Sequence, residues 1–126
     1  MFLLDSRSLL WILDNNASTI PPVAQNILKN SDELFVSMAS LWKIAEKMSQ
    51  GKLTAPFEPS EFARICAARS IQLLPVTPSE LDAVRRLPPL HADVFDRMVV
   101  ATAQTHGYTV ITANPAIRQY DVATLF

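Results

Sequence analysis

The sequence predicts an α/β domain in which helices cover both faces of a central parallel β-sheet. Short apolar runs alternate along the chain with stretches that have helical periodicity. The 126 residues contain no repeat and no linker long enough to divide them, so we expect one domain over 1–126. With 49% hydrophobic residues, the chain has enough apolar material for a single packed core.

Each element is assigned from its local pattern. Five apolar runs are predicted as strands, at 2–4, 34–37, 73–76, 108–112 and 122–126. Six stretches with apolar residues at helical spacing are predicted as helices, at approximately 6–14, 21–30, 40–50, 59–69, 78–86 and 94–106. Right-handed crossovers between such strands give one sheet covered on both faces. Ligand sites in these sheets lie at the carboxyl ends of the strands.

Charge and cysteine content limit the class of protein. The net charge of −1 gives no long-range attraction for nucleic acid, so a polyanion would have to be held by local basic groups or metal ions. The single cysteine, Cys66, excludes an internal disulfide, and we expect it to be buried rather than nucleophilic. The sequence has neither a secretory leader nor an apolar run of membrane-spanning length, so we expect a cytoplasmic protein.

Polar residues that could form a site follow the strands or open a helix. Asp5 follows the first apolar run, and Asn114 follows the run at 108–112. Asp93 and Asp96 stand at the start of the helix in HADVFDRMVVATA. Each of these residues could have a purely structural role, as a helix cap or a turn residue. Two carboxylates at the start of one largely apolar helix nevertheless exceed what capping requires.

These residues carry a resemblance to the PIN domain, and specifically to the ribonuclease toxins (VapC) of bacterial toxin–antitoxin pairs. The similar motifs cover essentially the whole chain in the family's order, and they are LLDSRSLLW, VSMASLWKIAEK, GKL, LPPLHADVFDRMVVATA and VITAN. The resemblance implies a three-layer PIN-like fold. It also implies acidic residues gathered around Mg²⁺ or Mn²⁺ for RNA cleavage. Crowded carboxylates repel one another unless such a cation neutralises them, and the cation can activate water at a phosphodiester.

The resemblance assigns roles to particular residues. Asp5, Asp93 and Asp96 match the family's metal-binding acids. Asn114 falls at a fourth catalytic position, which is Asp in many members, and Arg7 stands where the family usually has His. The resemblance implies an RNA substrate, assembly as a homodimer, and a small antitoxin partner whose tail covers an acidic pocket. We expect no association with a membrane.

Lys43 departs from the family pattern because it stands at the position of a family Glu. In SLWKIAEK, Ser40 is predicted to cap the helix, which puts Lys43 at the third residue past the cap, where a carboxylate is favoured. Trp42 lies at a helical apolar position and is predicted to belong to the core. Replacing an acid by a lysine removes one negative charge and adds a positive one, so metal affinity is expected to fall.

Two functions follow from these residues. The first is a metal-dependent endoribonuclease toxin whose site is weakened by Lys43 and Asn114. The alternative is a catalytically impaired PIN domain that binds an antitoxin or RNA, with Lys43 paired to Asp5 or Asp96 in place of a metal. A phospho-accepting receiver domain has a similar length and alternation, but LFVSMAS and LLPVTPS offer no acceptor Asp, so that class is rejected.

Overall fold

A central parallel sheet organises the chain, as the sequence predicts. The computed structural model describes residues 1–14, 19–30 and 33–126. Across these residues the sheet has five parallel strands in the order β3-β2-β1-β4-β5. The strands are β1 (Phe2–Leu4), β2 (Leu34–Ser37), β3 (Ile71–Leu74), β4 (Thr109–Ile111) and β5 (Thr124–Leu125). The strand order reverses its direction at β1, so the crevice for a ligand is expected beside β1 and β4.

Helices connect and cover the strands. They are α1 (Ser6–Leu13), α2 (Pro22–Asn30), α3 (Met38–Ser49), α4 (Phe62–Ala68), α5 (Pro78–Arg86), α6 (Val94–His106) and α7 (Pro115–Arg118), with a 3₁₀ turn at Pro59–Glu61. The helix predicted at 59–69 is thus divided into the 3₁₀ turn and α4. The short helix α7 was not predicted, because four residues are too few to show a periodic pattern. No helix in the described ranges has the length and apolar character needed to cross a membrane.

Side chains of the sheet alternate between two hydrophobic cores. Along β1, Leu3 packs in the core beneath α6, whereas Leu4 packs in the core beneath α1, α3 and α4. Both leucines are fully buried. Cys66 is also fully buried, which confirms the prediction for it. Two cores on opposite faces of one sheet define the predicted three-layer architecture.

The strand at 73–76 and the helix at 40–50 are both shifted from their predicted positions. The strand begins two residues earlier, at Ile71, and ends before Pro75, which has no N–H for a sheet hydrogen bond. The helix begins at Met38, directly after β2, and Ser37 is its N-cap, with Oγ accepting from the Ala39 N–H at 3.1 Å. The prediction that Ser40 caps this helix is therefore wrong, and Ser40 is buried inside the first turn.

Glu80 is a buried acid outside the candidate site, and it ties α5 to the end of α6. It is 1% exposed and accepts hydrogen bonds from the Thr77 N–H, from the Thr77 hydroxyl at 2.7 Å and from His106 at 3.0 Å. Burial alone would raise the pKa of Glu80, but the hydrogen bonds from Thr77 and His106 outweigh it and hold that pKa below its ordinary value.

Replacing Glu80 by Gln is expected to lower the free energy of unfolding at pH 7 by about 1 kcal/mol, because the carboxylate cap of α5 is lost. A lowered pKa means that the stabilisation is present above the ordinary pKa of Glu and is lost as pH falls through the folded-state value. Urea unfolding of parent and variant should therefore differ at pH 7 and converge near pH 3. Asp82→Asn, on the exposed face of the same helix, is the control, and an equal difference at both pH values would contradict the assignment.

Candidate functional site

The candidate site lies at the carboxyl ends of β1 and β4, where three site residues also cap helices. Asp5 follows β1 and caps α1 through a 2.9 Å hydrogen bond from the Ser8 N–H. Asn114 follows β4 and caps α7, its Oδ1 accepting from the Ala116 N–H at 3.0 Å. Because β1 and β4 are neighbouring parallel strands, both residues reach the same edge of the sheet.

The start of α6 brings Asp93 and Asp96 to this edge. Asp93 caps the helix, with Oδ1 accepting from the backbone N–H groups of Phe95 and Asp96 at 2.9 Å each. Asp96 is 4% exposed, and its Oδ2 accepts from Asn114 Nδ2 at 3.0 Å. Asp93 thus caps α6, while both Asp93 and Asp96, the residues for which the sequence predicts site roles, lie at this edge of the sheet.

Lys43 extends from α3 toward the start of α6. Its ammonium lies between the carboxylates of Asp93 and Asp96. Its Nζ is 2.8 Å from Asp96 Oδ1 and 3.0 Å from Asp93 Oδ2. Burial alone would lower the pKa of Lys43, but the hydrogen bonds that it donates to Asp96 and Asp93 outweigh burial and raise that pKa. Burial alone would likewise raise the pKa of Asp93, but hydrogen bonds from the Asp96 N–H and Lys43 lower it. Lys43 and Asp93 are therefore both charged near neutral pH.

Thr112 is a site residue that the sequence reasoning missed. Its buried hydroxyl donates to Asp5 Oδ2 and accepts from the Asn114 N–H at 2.9 Å, so it links two of the predicted residues. Its place in VITAN, two residues before Asn114, was the available signal. The sequence predicted a strand over 108–112, in which a threonine is an ordinary sheet residue, whereas in the structure Thr112 directly follows β4 and meets Asp5.

His91 and Arg97 support the start of α6 from outside the cluster. Arg97 donates to the Pro88 carbonyl at 2.8 Å and to the Tyr120 hydroxyl at 2.9 Å, and His91 Nδ1 is 2.8 Å from the same hydroxyl. The other ring nitrogen of His91 lies 3.6 Å from Asp96 Oδ2. This network fixes the segment before α6 and so the direction in which Asp96 points.

The carboxylate oxygens are already engaged by the protein. Each of the six carboxylate oxygens of Asp5, Asp93 and Asp96 accepts a hydrogen bond from a protein donor or forms an ion pair with Lys43. In the described part of the chain, no group of three His, Cys, Asp or Glu side chains is arranged to hold a metal ion. A divalent cation between Asp93 and Asp96 would coincide with the Lys43 ammonium, so this arrangement does not fit a metal there. Their assignment as metal ligands stays a prediction.

The cavity beside these residues differs from the acidic pocket that was expected. It has a volume of about 190 Å³ and is lined by the carboxylates of Asp5 and Asp96. Four cationic side chains also line it, namely Arg7, Lys43, Lys47 and Lys52. Cations therefore outnumber acids in its wall. The sequence motifs did not reveal this, because Arg7 and the three lysines come from α1 and from α3 with the segment after it, and only the folded chain brings them together.

The fold and the site define a class of protein, a parallel α/β domain with acidic residues at the ends of its strands. Comparison with known proteins agrees with this class. The family model of the PIN domain matches residues 2–123. The chain therefore belongs to the PIN domain family. No curated protein matches its sequence.

Several solved structures share the fold. A chain of VapBC2 from Rickettsia felis, bound to a promoter DNA fragment, is 11% identical with a TM-score of 0.73 over 98% of this chain and 96% of that one. A chain of DNA-bound VapBC from Salmonella typhimurium is 16% identical with a TM-score of 0.70 over the same shares. A chain of a toxin–antitoxin complex from Klebsiella pneumoniae is 14% identical with a TM-score of 0.62 over 100% of this chain and 97% of that one.

Removing the Lys43 cation should destabilise the fold, because two neighbouring carboxylates lose their counter-charge. We expect Lys43→Met to lower the free energy of unfolding at pH 7 by about 2 kcal/mol. In a double-mutant cycle with Asp96→Asn, measured by urea unfolding, the coupling should be about 1–3 kcal/mol. Lys47→Met is the control on the same helix. A coupling near zero would mean that Lys43 does not contact Asp96 in solution.

Proposed function

We propose that this chain is the PIN-domain member of a toxin–antitoxin pair and that it acts by binding its partner, with metal-dependent RNA cleavage suppressed by Lys43. The observation that carries the proposal is the position of Lys43 Nζ, within 3.0 Å of both Asp93 and Asp96. An internal cation there neutralises the carboxylates that would otherwise attract a metal. This corresponds to the alternative function that the sequence left open, with Asp93 and Asp96 as the partners.

Electrostatics explain why a metal would compete poorly. At an effective dielectric near 20, a pair of unit charges about 4 Å apart is worth roughly 4 kcal/mol before desolvation. Lys43 makes two shorter contacts, and its raised pKa keeps it protonated at neutral pH. A divalent cation would have to displace this ammonium, which is tethered to the chain and present at every metal concentration.

An exposed apolar surface on α3 supports a protein partner. Trp42, predicted to be in the core, is instead 61% exposed, and Met38 one turn earlier is 45% exposed. The Trp42 indole packs edge-on against Phe95, with ring centroids 5.2 Å apart. An apolar groove with a volume of about 540 Å³ adjoins it, and other residues in its wall are Leu41, Ala45, Pro59, Ala63 and Leu73. Aromatic anchors of this kind contribute strongly to protein interfaces.

The antitoxin is the partner that we assign to this surface. The similar structures include toxin–antitoxin complexes, which is the ground for this choice. A homodimer is part of the same proposal, as the family resemblance implies. The cytoplasm is the proposed location.

A metal-dependent endoribonuclease with reduced activity is the second candidate. Asp5, Asp93, Asp96 and Asn114 meet at one edge of the sheet, and this gathering favours it. In this case Mg²⁺ or Mn²⁺ would be the cofactor, RNA the substrate, and Lys43 would have to leave the carboxylates. The two candidates differ in whether the parent protein binds metal at all.

Calorimetric titration with Mg²⁺ and with Mn²⁺ is expected to give no measurable binding to the parent at millimolar metal. Lys43→Glu should bind, because it removes the competing cation and supplies a fourth carboxylate. RNA cleavage by the parent should stay at background and should rise in the Lys43→Glu variant. Lys43→Gln is the matched control, since it removes the cation without adding an acid. Metal binding and cleavage by the parent equal to those of Lys43→Glu would overturn the proposal in favour of the second candidate.

Replacing Trp42 by Ala is expected to weaken binding of the protein encoded beside this chain by about 2 kcal/mol, or roughly thirtyfold, because an exposed aromatic anchor is lost. Leu81→Ala is the control, since Leu81 is 56% exposed on α5 and does not line the groove. Affinities come from surface plasmon resonance on the purified pair. If Trp42→Ala and the parent bind equally, the partner docks elsewhere.

A further inference from the structure

The strand β3 lies at an edge of the sheet and pairs with β2 alone. In the register of this pair, Ile71 lies beside Leu34 and Leu73 lies beside Val36. The outer side of an edge strand presents a row of main-chain N–H and C=O groups that have no partner within the sheet. In β3 these groups belong to Ile71 and Leu73, as the hydrogen bonds of β2 require.

The hydrogen bonds of β2 fix which residues of β3 face outward. The Phe2 N–H donates to the Glu33 carbonyl at 3.0 Å, so the main-chain groups of Glu33 face β1. Main-chain groups of successive strand residues point to alternate sides, so those of Leu34 face β3. In a parallel ladder Leu34 bonds to the residues on either side of Ile71, which leaves the N–H and C=O of Ile71 on the outer side. The same alternation leaves those of Leu73 on the outer side.

The outer side of β3 is accessible to another chain. Within 1–14, 19–30 and 33–126, no main-chain or side-chain group hydrogen-bonds to the outward N–H and C=O groups of Ile71 and Leu73. A groove with a volume of about 590 Å³ runs beside them, and the small side chains of Ala63 and Ala67 on α4 also line it. None of the described residues in its wall is charged. This edge groove therefore offers main-chain hydrogen bonds in a neutral setting.

We propose that the edge groove binds the same edge of a second copy of this chain, so that the two sheets continue into one. A segment that satisfies unpaired strand groups must itself be extended, as β3 is. About a two-fold axis through Gln72, Ile71 of one copy lies opposite Leu73 of the second copy, and the two residues exchange both main-chain hydrogen bonds. Such a contact satisfies the same groups on both copies.

The charge of this surface favours a second copy as the occupant. Two identical surfaces carry the same charges, so they meet without repulsion only where the surface is neutral. The charged side chain on α4, Arg64, is paired with Glu61 at 3.1 Å. Arg69, which follows α4, donates to the Ile12 carbonyl at 3.2 Å. The neutral wall of the edge groove is thus complementary to itself.

The groove beside Trp42 adjoins this interface, because Ala63 and Leu73 line both grooves. The second copy would therefore extend one wall of the surface that we assign to the antitoxin. The inference rests on the homodimer in the proposed function and specifies its interface. It does not depend on Lys43 or on metal binding.

Gln72 provides a probe of the two-fold axis. Ile71 and Leu73 pack in the core beneath α1, α3 and α4, so the Gln72 side chain points to the opposite face of the sheet, where it is exposed. Across the axis the two copies of Gln72 lie directly opposite each other. Like charges at such a cross-strand position repel, and opposite charges attract.

The first test is a charge exchange at Gln72, measured by sedimentation equilibrium on the purified full chain. The parent should self-associate, and Gln72→Lys and Gln72→Glu should each weaken self-association by about fivefold. An equimolar mixture of the two variants should associate at least as well as the parent. The matched controls are Gln119→Lys and Gln119→Glu, at an exposed position after α7. Circular dichroism verifies that each variant is folded.

The second test is amide hydrogen exchange, followed by NMR at several protein concentrations. Exchange of the Ile71 and Leu73 amides should slow as concentration rises, because dimerisation pairs these N–H groups. The Gln72 amide is the internal control, since it faces β2 and is already paired in one copy.

Three outcomes would overturn the inference. A parent that is monomeric at every concentration would remove the homodimer as well, and it would leave the test of partner binding at Trp42 unaffected. A dimer in which the Gln72 variants and the Ile71 and Leu73 amides behave as in the monomer would keep the homodimer and place its interface elsewhere. Slowing of these amides only after addition of the protein encoded beside this chain would assign the edge groove to that partner.

Discussion

Carboxylates that gather at the edge of a parallel sheet repel one another, and the contact of the Lys43 ammonium with Asp93 and Asp96 is how this chain relieves that repulsion. A bound ion can leave when its concentration falls, but a lysine tethered to α3 cannot. The contact also joins α3 to the start of α6, two helices that reach the site from different parts of the chain. The positive charge that Lys43 brings to these carboxylates is therefore fixed by the sequence.

Helix capping imposes a second constraint on the same residues. Asp5, Asp93 and Asn114 each cap the helix that follows them, so the direction of each side chain is fixed by backbone N–H groups. Capping therefore orients these side chains directly from the backbone, in addition to the support from Thr112, His91 and Arg97. It also links site and stability, because a substitution that alters the chemistry removes a cap as well.

The similarity to solved structures illustrates how far a fold can be kept while the sequence changes. Identities of 11–16% accompany TM-scores of 0.62 to 0.73 over nearly the whole chain. The sheet and its two cores need only apolar residues of suitable size at alternating positions. The chemistry depends on single side chains, and Lys43 with three further cations makes the wall of the cavity more basic than acidic.

The sequence alone determined the alternation of strands and helices and the set of residues at the strand ends, because hydrophobic periodicity and motif order are local properties. It did not determine where α3 begins. The sequence predicted Ser40 as the cap, but β2 runs directly into the helix, so Ser37 caps it instead. Of the two reasons for which Lys43 stands out in the sequence, its predicted distance from a cap at Ser40 was wrong, whereas its place at a family Glu position does not depend on the cap. Only the tertiary structure decided its partners and the basic character of the cavity, because both depend on the packing of α3 against α1 and α6, which no local pattern records.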